Sequence, residues 1–192
     1  MANEDIRTFV AVEVPAETQA AMEAAVEPVR RSRRWSGIGW TAQTGWHLTL
    51  RFLGELAPPR IEEVVNATRA VAALGTSFRA TLDGWGVFPS ERRPRVLWLG
   101  LAEGAELLVH IAADLEARLA ERGFEREERP FHPHLTIARI KEPGAGIEAY
   151  RLLMERTLEP HPFSVDRLVV FRSILGRSGA EYHHIADCPL GG

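Results

Sequence analysis

Two spacings of hydrophobic residues alternate along the chain and predict strands and helices in turn. Apolar residues at every second position predict strands, and apolar residues three and four apart predict helices that bury one face. The clearest helix spans residues 60–72, where one face carries Ile61, Val64, Val65, Thr68, Val71 and Ala72. Strands are predicted over 7–14, 47–53, 78–88, 96–101, 134–140 and 163–173, with a last strand near 182–185. Further helices are predicted over 15–29, where Pro28 kinks or ends the helix, after 101 up to Gly123, and over 147–158. Residues 36–45 are predicted to form a loop.

These predicted elements repeat under one constant shift along the chain. His47-Leu48-Thr49-Leu50 recurs as His134-Leu135-Thr136-Ile137, 134 − 47 = 87 residues later. Under the same shift the first strand falls on 94–101, the helix of 60–72 falls on 147–159, and the strand of 78–88 falls on 165–175. The repeat predicts one α+β domain, residues 1–192, made of two pseudo-twofold-related halves of about 1–90 and 91–192, with interleaving allowed.

Composition narrows the class of protein. The chain has 192 residues, of which 45% are hydrophobic, so it is long enough to bury a well-packed core. It has no apolar run of membrane-spanning length, and its polar, acidic start is unlike a signal region. The single Cys188 excludes an internal disulfide and fits a reducing compartment, so we expect a cytoplasmic protein. A net charge of −3 argues against coating of long nucleic acids but leaves a short or terminal nucleic-acid substrate open. Two arginine clusters, at 30–34 and 92–95, are interpreted as solvated loops.

The repeated tetrapeptide carries the candidate chemistry. On a strand, His47 and Thr49 point to one face while Leu48 and Leu50 point to the core, and His134 and Thr136 do the same in the second copy. Two imidazoles that share a cleft suit in-line displacement at phosphorus, because one can take a proton from the attacking oxygen and the other can give one to the leaving oxygen. An ordinary imidazole pKa of about 6.5 suits both tasks, and the threonine hydroxyls can donate to phosphate oxygens.

The two motifs resemble the HxTx motifs of the two-histidine (2H) phosphoesterases, in particular the RNA 2',3'-cyclic phosphodiesterases, also called 2'-5' RNA ligases. The blocks that carry the resemblance are Phe9-Val10-Ala11, residues 47–54, residues 133–139 and residues 171–175 through Tyr182. The resemblance implies a two-lobed α+β fold in which antiparallel sheets line a central cleft and helices pack outside. It also implies no metal or other cofactor, His47 as proton donor, His134 as the acceptor that activates water, and a 2'-phosphate product.

Other residues near the motifs are weighed separately. Arg139 matches the family pattern as a phosphate ligand, although strict alternation places it on the face opposite His134, so it reaches the cleft only at a strand end or a bulge. Trp46 is expected in the core. Trp40, Phe88 and Phe131 are predicted in loops, where an aromatic ring can stack on a nucleobase, and the sequence does not choose among them.

Three alternatives remain. A metal site formed by His132, His134 and His47 is disfavoured because no acidic residue stands at a ligand spacing. The same groups run in reverse join RNA ends through a 2'-5' linkage, and the sequence does not separate ligation from hydrolysis. A non-catalytic module that binds RNA ends or nucleotides is disfavoured because binding needs no proton donor and acceptor pair. We therefore predict metal-independent hydrolysis of RNA terminal 2',3'-cyclic phosphates by a monomer with no membrane partner.

Overall fold

The structure is a computed structural model that describes residues 5–176 and 179–191. It contains four helices and nine strands over those residues. The helices are α1 (Ala16–Arg31), α2 (Pro58–Ala72), α3 (Ala105–Glu121) and α4 (Pro143–Met154). The strands are β1 (Ile6–Glu13), β2 (Ile38–Trp40), β3 (His47–Leu56), β4 (Phe78–Phe88), β5 (Val96–Glu103), β6 (Leu135–Ile140), β7 (Pro162–Val165), β8 (Arg167–Gly176) and β9 (Gly179–Pro189). The predicted α+β class is confirmed.

All nine strands belong to a single sheet in which the named strands pair antiparallel. Its order is β7-β4-β5-β6-β3-β1-β8-β9, and β2 pairs with β6 off this path. One face of the sheet packs against the helices, and this main core includes Met22 of α1, Val64 of α2, Leu108 of α3 and Leu153 of α4. The opposite face carries a smaller apolar cluster and is otherwise open. Burial of leucine and valine side chains from both layers is therefore what holds the helices on one face only.

The strand pairing of the first half is repeated in the second half. Val12 pairs with Leu48 and Ala11 with Thr49, and 87 residues later Leu99 pairs with Leu135 and Trp98 with Thr136. Between the two motif strands, β3 and β6, the one paired position is Leu48 with Leu135, two residues that are themselves 87 apart. We propose that a pseudo-twofold axis passes through this pair, and the repeated register supports it.

The shift of 87 does not extend to the strands flanking these pairs. Phe9 of β1 pairs with Phe171 of β8, whereas the equivalent Val96 of β5 pairs with Phe88 of β4. Phe88 and Phe171 therefore occupy equivalent places although they are only 171 − 88 = 83 residues apart. The difference of four residues between the shifts of 87 and 83 corresponds to connecting segments of different length in the two halves.

Several predicted boundaries were wrong, and tertiary pairing explains most of them. The segment predicted as a loop over 36–45 contains β2 and a short 3-10 turn, Gln43–Gly45. Since β3 and β6 pair only at Leu48 and Leu135, β2 takes the place beside β6 at Ala138–Ile140. The strand predicted over 163–173 is two strands, because β7 pairs with β4 and β8 pairs with β1 at separate places in the sheet.

The remaining differences are local. Pro28 lies inside α1, which continues to Arg31, because a proline so near the end of a helix removes a single backbone hydrogen bond. The first motif strand passes through Gly54, whose φ of 76° permits an irregularity, and ends at Leu56. The fourth helix begins at Pro143 rather than at 147, since proline is favoured in a first helical turn. The predicted final turn falls partly on residues 177 and 178, outside the described residues.

Candidate active site

The two motif strands lie side by side at the centre of the sheet, and their polar residues share its open face. Leu48 and Leu135 form a pair and are fully buried against the helices. Because side chains alternate along a strand, the residues on either side of each leucine point to the opposite face. His47, Thr49, His134 and Thr136 therefore share the open face, with the two histidines at diagonal positions about the Leu48–Leu135 pair.

Each histidine is oriented by a backbone carbonyl two residues earlier in the chain. His134 Nδ1 lies 2.7 Å from the carbonyl oxygen of His132. His47 makes the corresponding backbone hydrogen bond with Gly45, and positions 45 and 132 are again 87 apart. A neutral imidazole whose Nδ1–H donates to a carbonyl leaves Nε2 free, so in His134 Nε2 is the nitrogen that remains available to a ligand.

Burial lowers the pKa of both histidines. The pKa of His47 falls from 6.5 to about 4, because burial penalises the charged ring and the bond to Gly45 only partly offsets this. Burial also lowers the pKa of His134, the bond to the His132 backbone only partly offsets this, and the positive charge of Arg139 lowers the pKa further. Both imidazoles are therefore neutral at neutral pH in the free protein.

Different aromatic side chains surround the two histidines. His47 stacks on Phe9 at 4.7 Å between ring centroids and meets the edge of Tyr182 at 4.9 Å. Phe9, in turn, stacks on Phe171 at 5.0 Å, and these rings form most of the small apolar cluster on the open face. The His47 ring is thus held against a rigid apolar base, which is the physical source of its strong desolvation.

His134 lies in a second aromatic group. Phe88 approaches it edge-on at 5.1 Å, and Trp98 lies 6.3 Å away. The exposed His132 ring packs on Trp98 at 4.9 Å and on Phe88 at 5.5 Å. The two halves of the cleft therefore share a histidine and threonine pattern but differ in what surrounds it.

Arg139 reaches the open face because β6 contains a bulge. The register between β5 and β6 slips between Leu97 and Trp98, so that Trp98 pairs with Thr136 and Val96 pairs with Arg139. Trp98 lies on the open face, and Val96, two residues away, shares that face with its partner Arg139. From this face the positive charge of Arg139 contributes to lowering the pKa of His134.

Comparisons with known proteins agree with this geometry. The sequence profile of the 2'-5' RNA ligase superfamily matches residues 14–177. The chain belongs to this superfamily. Its relatives include proteins named RNA 2',3'-cyclic phosphodiesterase from Thermotoga maritima, 32% identical over 97% of both chains, and from Aeropyrum pernix, 38% identical over 71% of this chain and 77% of the relative. The resemblance to 2H phosphoesterases is confirmed.

Solved structures of the superfamily share the whole fold. A crystal structure from Thermus thermophilus has a TM-score of 0.77 and 29% identity, and covers 97% of this chain and 99% of its own. The apo form of LigT from E. coli has a TM-score of 0.73 and 25% identity, with 98% and 99% covered. The predicted two-lobed α+β architecture is therefore confirmed.

The structure also shows which of the aromatic residues predicted to stack on a nucleobase lie beside a motif histidine. Of the three loop aromatics named from the sequence, Phe88 contacts His134, whereas Trp40 lies in β2 and packs on Trp35 at 6.1 Å. Phe131 packs against the main core. Trp46 is buried, as predicted.

Sequence reasoning missed Phe52. It pairs with Phe9 and so lies on the open face, 44% exposed, at the position that the shift of 87 relates to Arg139. The guanidinium of Arg7 lies 4.5 Å from the centre of its ring. The repeat could have identified Phe52 from the sequence, because it lies 87 residues before Arg139.

The described residues also bear on the predictions that the protein binds no metal ion and has no membrane partner. Within residues 5–176 and 179–191, no three His, Cys, Asp or Glu side chains converge to hold a metal ion. At the edge of the open face His184 bridges Glu13 and Asp187, each at 3.1 Å, beside a recess of about 400 Å³ lined in part by Glu13 and Arg167. No helix among the described residues is long and apolar enough to cross a membrane.

Proposed function

We propose that this protein hydrolyses RNA terminal 2',3'-cyclic phosphates to 2'-phosphomonoesters without a metal ion. The observation that carries the proposal is the placement of two His-x-Thr motifs on one open face around the Leu48–Leu135 pair. Relatives named RNA 2',3'-cyclic phosphodiesterase support the substrate class. The paired geometry suits a single phosphorus atom between two imidazoles, because in-line displacement needs proton transfer on both sides.

His134 is assigned as the general base and His47 as the general acid. Burial and the positive charge of Arg139 favour the neutral form of His134, which is the form that accepts a proton from water. His47 is neutral in the free protein, so it acquires its proton when the anionic substrate binds, since a nearby negative charge raises the pKa of an imidazole. His47 then protonates the departing 3' oxygen.

Thr49, Thr136 and Arg139 are assigned to the phosphate. The two threonines share the open face with the two histidines, and their hydroxyls can donate to the equatorial oxygens. Arg139 supplies a fixed positive charge where negative charge develops during attack. Donors that are already in place need no reorganisation as the reaction proceeds, which is the usual source of such stabilisation.

Phe52 is assigned to the nucleobase of the terminal nucleotide. Its ring is exposed on the open face of the strand that carries His47, and the Arg7 guanidinium lies over it at 4.5 Å. Base–aromatic stacking is tolerant of sequence, which suits an enzyme that acts on RNA ends.

The test is hydrolysis of a short RNA with a 2',3'-cyclic phosphate in the presence of EDTA. We expect His47→Ala and His134→Ala each to lower kcat/KM by about 100-fold or more, and the product to carry a 2'-phosphate. His110→Ala is a matched control on an exposed histidine of α3, which packs on the opposite face of the sheet. Unchanged activity in either motif variant would refute the assignment, and loss of activity in EDTA would point to a metal.

The second candidate is a module that binds RNA ends without turnover. It predicts tight binding of the cyclic phosphate, no product over long incubation, and equal binding by the wild-type protein and by His134→Ala. The two repeated carbonyl contacts that orient the histidines argue against it, because binding alone does not require a fixed tautomer.

A further inference from the structure

A carboxylate stands directly opposite the proposed general acid. Glu13 is the last residue of β1, and it pairs with His47 of β3. Its side chain points to the open face, because Ala11, two residues earlier, belongs to the apolar cluster of that face. Residues directly opposite each other on one face of an antiparallel pair are close neighbours. Glu13 is therefore a charged group beside His47 that has no role in the proposed hydrolysis.

The repeated framework does not require a charged residue at this position. The shift of 87 relates Glu13 to Gly100, since 100 − 13 = 87, and glycine has no side chain to place beside His134. The carboxylate thus belongs to the His47 half of the cleft alone.

The Glu13 carboxylate is bound on the side away from His47. Its Oε1 lies 3.1 Å from Nε2 of His184, and its Oε2 lies 3.2 Å from Nη2 of Arg167. These two partners come from β9 and β8, and the strand order β3-β1-β8-β9 places them across β1 from His47. Over residues 5–176 and 179–191, Glu13 forms ion pairs with His184 and Arg167 but none with His47.

The two partners of Glu13 are themselves held in place. Nδ1 of His184 lies 3.1 Å from Oδ1 of Asp187, and the ring meets Phe171 edge-on at 4.9 Å. Bonds to both carboxylates require a proton on each nitrogen of the ring. Arg167 also contacts Asp166 at 3.4 Å and Asp187 at 3.8 Å. Each oxygen of Glu13 thus has a fixed donor, so the direction of its carboxylate is set.

The direction of this carboxylate matters for His47. The pKa of His47 is lowered by burial, which the bond to Gly45 only partly offsets, rather than set by a neighbouring charge. A carboxylate within about 4–6 Å favours the protonated form of an imidazole and shifts its pKa by about 1–3 units. A Glu13 side chain that turned toward His47 would therefore charge the ring before any substrate bound.

We infer that His184 and Arg167 hold the Glu13 carboxylate away from His47, which leaves the substrate phosphate as the anion beside which the general acid takes up its proton. This inference rests on the proposed role of His47. His184 and Arg167 are then positioning residues, because they act on His47 through Glu13 and do not touch the substrate.

The test is an NMR titration of the His47 ring in the free protein, with its resonances assigned by their absence from His47→Gln. In the wild-type protein we expect a midpoint near pH 4. The double variant His184→Gln, Arg167→Gln releases the carboxylate, so its midpoint should rise by about one pH unit or more. Adding Glu13→Gln should restore the wild-type midpoint. The matched control adds Asp187→Asn instead, which removes another carboxylate of the same group and should leave the rise in place.

Two results of this titration overturn the inference. One is a double-variant midpoint equal to that of the wild type, and the other is a rise that persists with Glu13→Gln. Residues that only tie the strands together would lower the urea midpoint and leave the His47 titration unchanged. If the double variant does not fold, His184→Gln alone decides, since a smaller rise in the same direction supports the inference and no rise refutes it.

The consequence for catalysis is measured with a cyclic-phosphate RNA. The double variant should have a KM raised by about tenfold, because the released carboxylate competes with the phosphate for His47, and one pH unit corresponds to tenfold in proton binding. The limb of the kcat/KM profile that belongs to His47 should move upward together with the NMR midpoint. An unchanged KM and pH profile would refute the role of the hold in substrate binding.

Failure of the proposed function would be recognised separately. If the wild-type protein opens no cyclic phosphate, inorganic phosphate becomes the probe of the His47 titration. Phosphate should then raise the His47 midpoint more in the wild-type protein than in the double variant, since the released Glu13 repels it. An equal effect in both proteins would refute the inference.

Discussion

Acidification should destabilise this protein through His47. Its pKa is lowered from 6.5 to about 4 in the folded chain, whereas in the unfolded chain it keeps the ordinary value. Between these two values the unfolded chain binds a proton that the folded chain does not, so the free energy of unfolding falls as pH drops through this window. From about pH 7 to about pH 4.5, the loss that His47 alone contributes amounts to about 2 kcal/mol.

The measurement is urea unfolding of the wild-type protein and of His47→Gln at both pH values. Glutamine does not titrate, so the variant should lose about 2 kcal/mol less stability on acidification, even if loss of stacking on Phe9 lowers its stability at every pH. His134 titrates in both proteins, so its contribution to the pH dependence of the unfolding free energy cancels when the two are compared. Added phosphate should reduce the wild-type loss, because an anion beside His47 raises its pKa. Equal pH dependence in the two proteins would show that His47 is not desolvated.

Three further results are expected. Arg139→Ala should lower kcat/KM by about 100-fold with little change in the urea midpoint. The control is Arg51→Ala: the Arg51 side chain lies on the helix face, so its loss should lower stability and leave kcat/KM unchanged. The opposite pattern would show that Arg139 does not bind the phosphate. Gly86→Ala should cost about 1–3 kcal/mol because its Cβ would overlap Trp98, and a urea midpoint equal to that of the wild type would contradict the close approach. Phe52→Ala should raise KM about tenfold with a smaller change in kcat, and an unchanged KM would remove Phe52 from the base site.

The sequence was sufficient for the central pair of strands. Alternation within each tetrapeptide set the face of His47 and His134, because side chains on a strand alternate whatever surrounds it. The shift of 87 between the copies also predicted two motif strands in equivalent places facing one cleft, and in the structure these strands pair at Leu48 and Leu135. These properties are local or follow directly from the repeat. The catalytic and phosphate-binding roles of the motif residues stay predictions until the variants are measured.

Tertiary structure decided the rest, because it depends on how strands meet. The bulge that turns Arg139 to the open face arises from a slip in register against β5, which the sequence of β6 alone does not contain. The segment 38–40 becomes a strand only because β3 and β6 pair at a single position and leave β6 exposed there. The pKa of about 4 for His47 comes from Phe9 and the apolar cluster beneath it, residues far from it along the chain. Local pattern thus determined the two histidines and their shared face, while packing across the sheet decided their protonation, their neighbours and the difference between the two halves of the cleft.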